Sequence, residues 1–183
     1  MFADDDWKNE LGPFSVGLGG AIAVAGSIMP WGVVTFQPGP LGVVPSRLFT
    51  PVRDVMGTHT MEGKIALAIA LLVSLLGIAA LIVRERRANT VIGVAAGVCA
   101  IELGVLAATE FGRVSDASSQ FNPLHFPLQY QGQPFRHFVD VSTSYGLHVV
   151  IAGAAVALAG SIYTVIRARA RAGLPGPRHY SLG

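Results

Sequence analysis

Four long apolar runs, separated by stretches rich in proline, glycine and charge, set the pattern of this chain. They are Phe14–Met29, Ile65–Val83, Val91–Thr109 and Leu147–Ile166. A helix needs about 20 mainly apolar residues to cross the hydrocarbon core of a bilayer. The second and fourth runs carry no Asp, Glu, Lys or Arg, and the third carries one, Glu102. The first is short and extends through Pro30 and Trp31. The pattern predicts an all-α membrane protein, a bundle of four transmembrane helices at 14–31, 65–83, 91–109 and 147–166, in one integral membrane domain over 1–183.

The two remaining links, 32–64 and 110–146, are far longer than the roughly 2–8 residues that usually join bundle helices. They predict a structured cap. Trp31–Phe36 and Leu41–Val44 place β-branched and aromatic residues between proline and glycine, and read as short strands of a small β cap. In the second link, Pro123, Pro127 and Pro134 forbid a regular helix or central strand. Its aromatics, with Phe126, Tyr130 and Phe135 at the centre, suit an interfacial belt, a surface that binds a neighbour, or packing onto the first link.

Basic residues fix an orientation. Arg84, Arg86 and Arg87 follow the second run, and Arg167, Arg169, Arg171 and Arg178 follow the fourth. Short loops rich in Lys and Arg stay in the cytoplasm. Both termini are then cytoplasmic, both long links are extracytoplasmic, and the chain is a multi-pass protein of the plasma (inner) membrane. The first run is not read as a cleaved signal, because its flank Asp4-Asp5-Asp6-Trp7-Lys8 is acidic and no small-residue cleavage site follows.

Composition agrees. Only 13% of residues are charged, about half the usual share of soluble domains, and the mean hydropathy is +0.53. The net charge of +2 and the grouping of basic residues by topology exclude a nucleic-acid surface. The single cysteine, Cys99, excludes an intrachain disulfide and dithiol redox chemistry, and reads as a buried structural thiol.

Glu102 is the residue that membrane physics singles out, since an ionisable group inside a span is costly and marks a functional site by default. At about 100° per residue it lies opposite Gly93 and Gly97 on the third span. Small residues at spacing three or four let membrane helices approach closely: Gly17, Ala21 and Ala25 in span one, Gly93 and Gly97, then Gly104 and Ala108, in span three, and Gly153, Ala157 and Gly160 in span four. Either face of span three can turn inward, and in both cases the other meets more than lipid. Three roles for Glu102 stand open: a neutral carboxyl satisfied by hydrogen bonds, a partner contact, or a relay. A relay needs further ionisable groups across the membrane, and the centres of the other spans supply none.

Of the five histidines, His59 and His148 fall at the outer boundary of spans two and four and form the one conceivable haem-ligand pair. No close ligand spacing among His59, Glu62, His125 and His137 points to a metal. Nucleophile-elbow, zinc-protease and phosphate-loop motifs are absent. No cofactor and no metal are expected.

Three stretches resemble a family of small four-span membrane proteins common in actinobacteria, mostly of unassigned function. Gly26-Ser27-Ile28-Met29-Pro30-Trp31 is similar to its GSxxPW close of span one. Gly57-Thr58-His59-Thr60-Met61-Glu62-Gly63-Lys64-Ile65 resembles the G-T-x-x-x-x-G-K-I approach to span two. Ser144-Tyr145-Gly146-Leu147 resembles the opening of span four. His59 and Met61 stand where relatives often carry acids, which argues against ion binding at that turn. Claudin-like proteins share only the layout of two outer loops over four helices, without the claudin Trp and Cys signature. The resemblance implies an accessory role beside a larger envelope machine, a lipid importer or a respiratory assembly. The expected function is therefore a non-catalytic subunit of a larger membrane complex, in contact with lipid, docking through Glu102, Gly93, Gly97, Phe126, Tyr130 and Phe135. The alternative is a small lipid- or cofactor-binding protein with an outer-leaflet site near His59 and His148.

Overall fold

The computed structural model describes residues 6–36, 52–83, 85–120, 129–130, 133–134 and 139–172. Four helices carry the chain: α1 (Asp6–Ile28), α2 (Met61–Ile82), α3 (Arg86–Gln120) and α4 (Tyr145–Ala172). Each contains a stretch long and apolar enough to cross a membrane: Glu10–Ile28, Met61–Ile82, Arg87–Asp116 and Tyr145–Ala170. The protein is a four-helix membrane bundle with a small three-stranded sheet.

Local chemistry sets the helix ends. Span one stops at Ile28 rather than continuing to Trp31, because Pro30 bars Met29 from the helical region. Pro30 and Trp31 instead open strand β1 (Pro30–Phe36), as the strand pattern of Trp31–Phe36 predicts. A 3-10 turn, Gly57–His59, leads into α2. Thr60 caps α2, accepting a hydrogen bond from Gly63 N at 3.0 Å while donating to Gly57 O at 2.8 Å.

The helices form a ring in which α1 and α3 each pack on both α2 and α4, while α2 and α4 stand at opposite corners. Strands β1, β2 (Val52–Met56) and β5 (Val139–Thr143) form an antiparallel sheet with β1 in the centre. Val34 pairs with Arg53 on one side and Val141 on the other. Both long links thus contribute to one cap at one end, the sheet end. Two further short strands, β3 (Gln129–Tyr130) and β4 (Gln133–Pro134), pair with each other. The Leu41–Val44 strand expectation lies outside the described residues.

Glycine brings the helices together. A Cβ at Gly153 of α4 would lie 2.6 Å from Ala23 N of α1, and one at Gly26 would lie 2.7 Å from Val150 N. Gly12, Gly19 and Gly26 thus face α4, while Gly17 and Gly20 face α2 at Gly77 and Ser74. The span-four stripe of Gly153, Ala157 and Gly160 is as expected. The span-one stripe is not: Gly17 lies against α2 and Ala21 is exposed. The buried hydroxyls of Ser27, Ser161 and Thr164 each donate to the carbonyl four residues back, at 2.8 Å, so none is left unsatisfied in the apolar interior.

Trp31 is the centre of the sheet end. It is 2% exposed, its Nε1 donates to Gly26 O at 3.1 Å, and Gly57 and Gly146 close on its ring. Gly57 N donates to Met29 O at 3.1 Å, and Ser144 N donates to Trp31 O at 3.0 Å. The three motif stretches of the sequence thus meet in space around one indole.

Candidate functional site: the outer face of α3

Helix α3 has 35 residues, about 52 Å at 1.5 Å per residue. That exceeds the roughly 30 Å hydrocarbon core. The surplus lies toward the sheet end, where Phe111 and Val114 pack against the core cluster that includes Trp31 and Leu147.

Two faces of α3 are distinct. Gly93, Ala96, Gly97, Ala100, Leu103 and Ala107 are buried. A Cβ at Gly93 would lie 3.2 Å from Val165 Cγ2, and one at Gly97 would lie 3.4 Å from Ser161 Cβ, so this face packs on α4. Val91, Val94, Val98, Ile101 and Val105 form the opposite stripe, and about half or more of each is exposed. Glu102 lies on that exposed stripe. Of the two rotations that the sequence leaves open, the structure takes the one with glycines inward and the carboxylate outward.

An open groove of about 400 Å³ runs along the α2–α3 side from Glu62 and Arg113 down to Glu102, floored by Ile101, Val105 and Leu106. At its sheet-end mouth Arg113 bridges two carboxylates, Glu110 at 2.6 Å and Glu62 at 3.4 Å. Glu102 lies two turns deeper, about 12 Å along the helix axis from Glu110. Among the described residues, Glu102 has no hydrogen-bond or ion-pair partner. A second, apolar groove of about 280 Å³ follows the α3–α4 side toward the arginine end, lined by Gly97, Val98, Ile101, Leu158 and Ile162 among others. Ile101 borders both.

The remaining sequence candidates are dispersed. Phe126 and Phe135 lie outside the described residues, and Tyr130 is placed only by its pairing with Gln133. His148 sits in the first turns of α4, its ring edge-on to Phe111 with centroids 5.4 Å apart, and its Nδ1 lies 3.4 Å from Ser144 O. His59 ends the 3-10 turn, which packs mainly on α1 and α2. The two histidines of the alternative site therefore occupy elements without substantial mutual contact. Among the described residues no three His, Cys, Asp or Glu side chains cluster as a metal site would require.

Sequence reasoning missed Glu62, Glu110 and Arg113 as companions of Glu102. The signal was present in part, since Glu102, Glu110 and Arg113 recur at near-helical spacing on one side of α3. Glu62 could be joined to them only through the α2–α3 packing. No protein-family model matches the chain, and no curated protein is similar to it in sequence.

Proposed function

We propose that this chain is a non-catalytic subunit of a larger assembly in a bacterial plasma (inner) membrane, and that α3 is its docking helix. The observation that carries the reading is Glu102 on the outward stripe of a membrane helix. A carboxylate facing lipid near the centre of a span costs about 2.5–3.5 kcal/mol on insertion scales. The bundle itself offers no alternative, because the inward side of α3 is already filled by α4. A neighbouring protein that covers the stripe removes the cost. In this reading the aromatic second link, with Phe126, Tyr130 and Phe135, adds a contact outside the bilayer on sequence grounds.

The proposal places the arginine end and both termini in the cytoplasm and the sheet outside. Its support is that Arg86, Arg87, Arg167 and Arg169 all belong to the end of the bundle opposite the sheet. Affinity purification of the full chain from native membranes in mild detergent tests the reading. A stoichiometric larger partner is expected. A monomer whose α3 stripe cross-links only to lipid would refute it.

A further inference from the structure

We infer that the occupant of the α3 face is a single transmembrane helix of a different protein, carrying a lysine or arginine at the depth of Glu102. This rests on the docking reading above and goes beyond it by stating the partner's form and chemistry.

Form comes from the grooves. They meet at Ile101 and together follow α3 from Gly93 to Arg113. That is about 30 Å of helix axis, close to the thickness of the hydrocarbon core. The two grooves flank α3 on its α4 and α2 sides and share Ile101, so a rod that crosses α3 obliquely at Ile101 enters both, and a partner helix is such a rod.

Chemistry comes from charge. Among the described residues the α2–α3 groove holds Glu62, Glu102 and Glu110 against one guanidinium, Arg113. Arg113 is engaged at the mouth by Glu62 and Glu110. Among the described residues Glu102, two turns below it, has no ion-pair partner, and Val98 (51% exposed), Ile101 (52%) and Val105 (58%) lie around it. A basic side chain at that depth relieves its own cost and that of Glu102 together, because in low dielectric each charge is the other's best solvent.

A second copy of this chain does not fit. Its four apolar runs hold no Lys or Arg, so a copy brings no full-time cation to the depth of Glu102. A symmetric pairing through this face sets the same patch against itself, carboxylate toward carboxylate.

The test uses the full chain in its native membrane. A photo-crosslinking residue replaces Ile101 or Val105, and, as a control, Leu75 on the exposed side of α2. Adducts are mapped by mass spectrometry. The expected result is an adduct from the α3 positions, not from Leu75, on a transmembrane segment with a Lys or Arg within one turn of the attachment point. Glu102→Lys should then lower recovery of that partner about tenfold or more, the scale of losing one strong pair. Changing the partner's mapped basic residue to Glu should restore it. Membrane levels of the Glu102→Lys chain are measured in parallel, and the isosteric Glu102→Gln serves as the second variant, expected to weaken recovery in the same direction. Adducts to a segment with no basic residue nearby, or full recovery with Glu102→Gln, overturn the charge-paired helix and leave the docking reading standing. Adducts to a second copy overturn the inference that the partner is a different protein. Adducts to lipid alone overturn both.

Discussion

The same substitution, glycine to alanine, should act with opposite sign at two helical positions of this protein. Gly153 lies where α4 meets α1. A Cβ there would sit 2.6 Å from both Ala23 N and Gly19 O, whereas ordinary van der Waals contact begins near 3.4 Å. The clashing atoms are helix backbone, so relief requires α1 to retreat by roughly 1 Å along a seam of close approaches. Overpacking of this kind costs about 1–3 kcal/mol, and the rigid obstacle places Gly153→Ala in the upper half. Alanine returns about 1 kcal/mol of helix propensity, leaving a net loss of about 1–2 kcal/mol. Among the described residues nothing lies within 4 Å of a Cβ added at Gly112 of α3, so Gly112→Ala keeps the propensity gain, about 1 kcal/mol. The two variants should therefore differ by about 2–3 kcal/mol, or roughly 4–12 °C in Tm for a chain of this size. Thermal unfolding in mild detergent, followed by far-UV circular dichroism and tryptophan emission, reads the difference. If Gly153→Ala matches or exceeds the stability of Gly112→Ala, close backbone packing of α1 on α4 is not what holds the bundle.

Three further outcomes follow from the sheet end and the bundle's polarity. Trp31→Phe removes the indole donor to Gly26 O and part of a buried ring, and should lower stability by about 1–3 kcal/mol in the same assay. Thr60→Ala removes the cap of α2 and should cost about 1 kcal/mol, and faster amide exchange confined to the first turn of α2 would confirm the cause. In a Cys99→Ala background, single cysteines at Asp54→Cys and Glu85→Cys, both exposed and at opposite ends, should react with a membrane-impermeant maleimide from outside and inside respectively. Reaction of both from one side would refute the bundle's passage across the membrane, and reversed sidedness would refute the orientation.

The spans were legible because a 20-residue apolar run has few other uses, and the strand at Trp31–Phe36 because proline and β-branched residues ended the helix where it began. Rotation about each helix axis was less legible. Spacing identifies Glu102 as opposite Gly93 and Gly97, but which side turns inward depends on the neighbour, and here Thr164, Val165 and Ser161 of α4 decide it. In span one a spacing of four drew attention to Gly17, Ala21 and Ala25, whereas the contact with α4 runs through Gly12, Gly19 and Gly26 at spacing seven. That is the period at which two shallowly coiled helices stay in register. The adjacent Gly19 and Gly20 point at different helices, a division no single-face pattern can express. Arg113 bridging Glu62 and Glu110 joins residues 51 positions apart at one of its two arms, and no local rule links them.

The sheet order has a consequence for how the protein is made. Strand β1 is synthesised early and β2 soon after, but the other edge of β1, including the Trp31 carbonyl that accepts from Ser144 N, awaits the last part of the chain. That edge stays open through insertion of the second and third spans and closes only when β5 and the start of α4 arrive. An exposed strand edge is a template for wrong pairing. The final span thus acts as the latch of the whole protein, and a chain arrested before it should be the form that proteases and chaperones recognise.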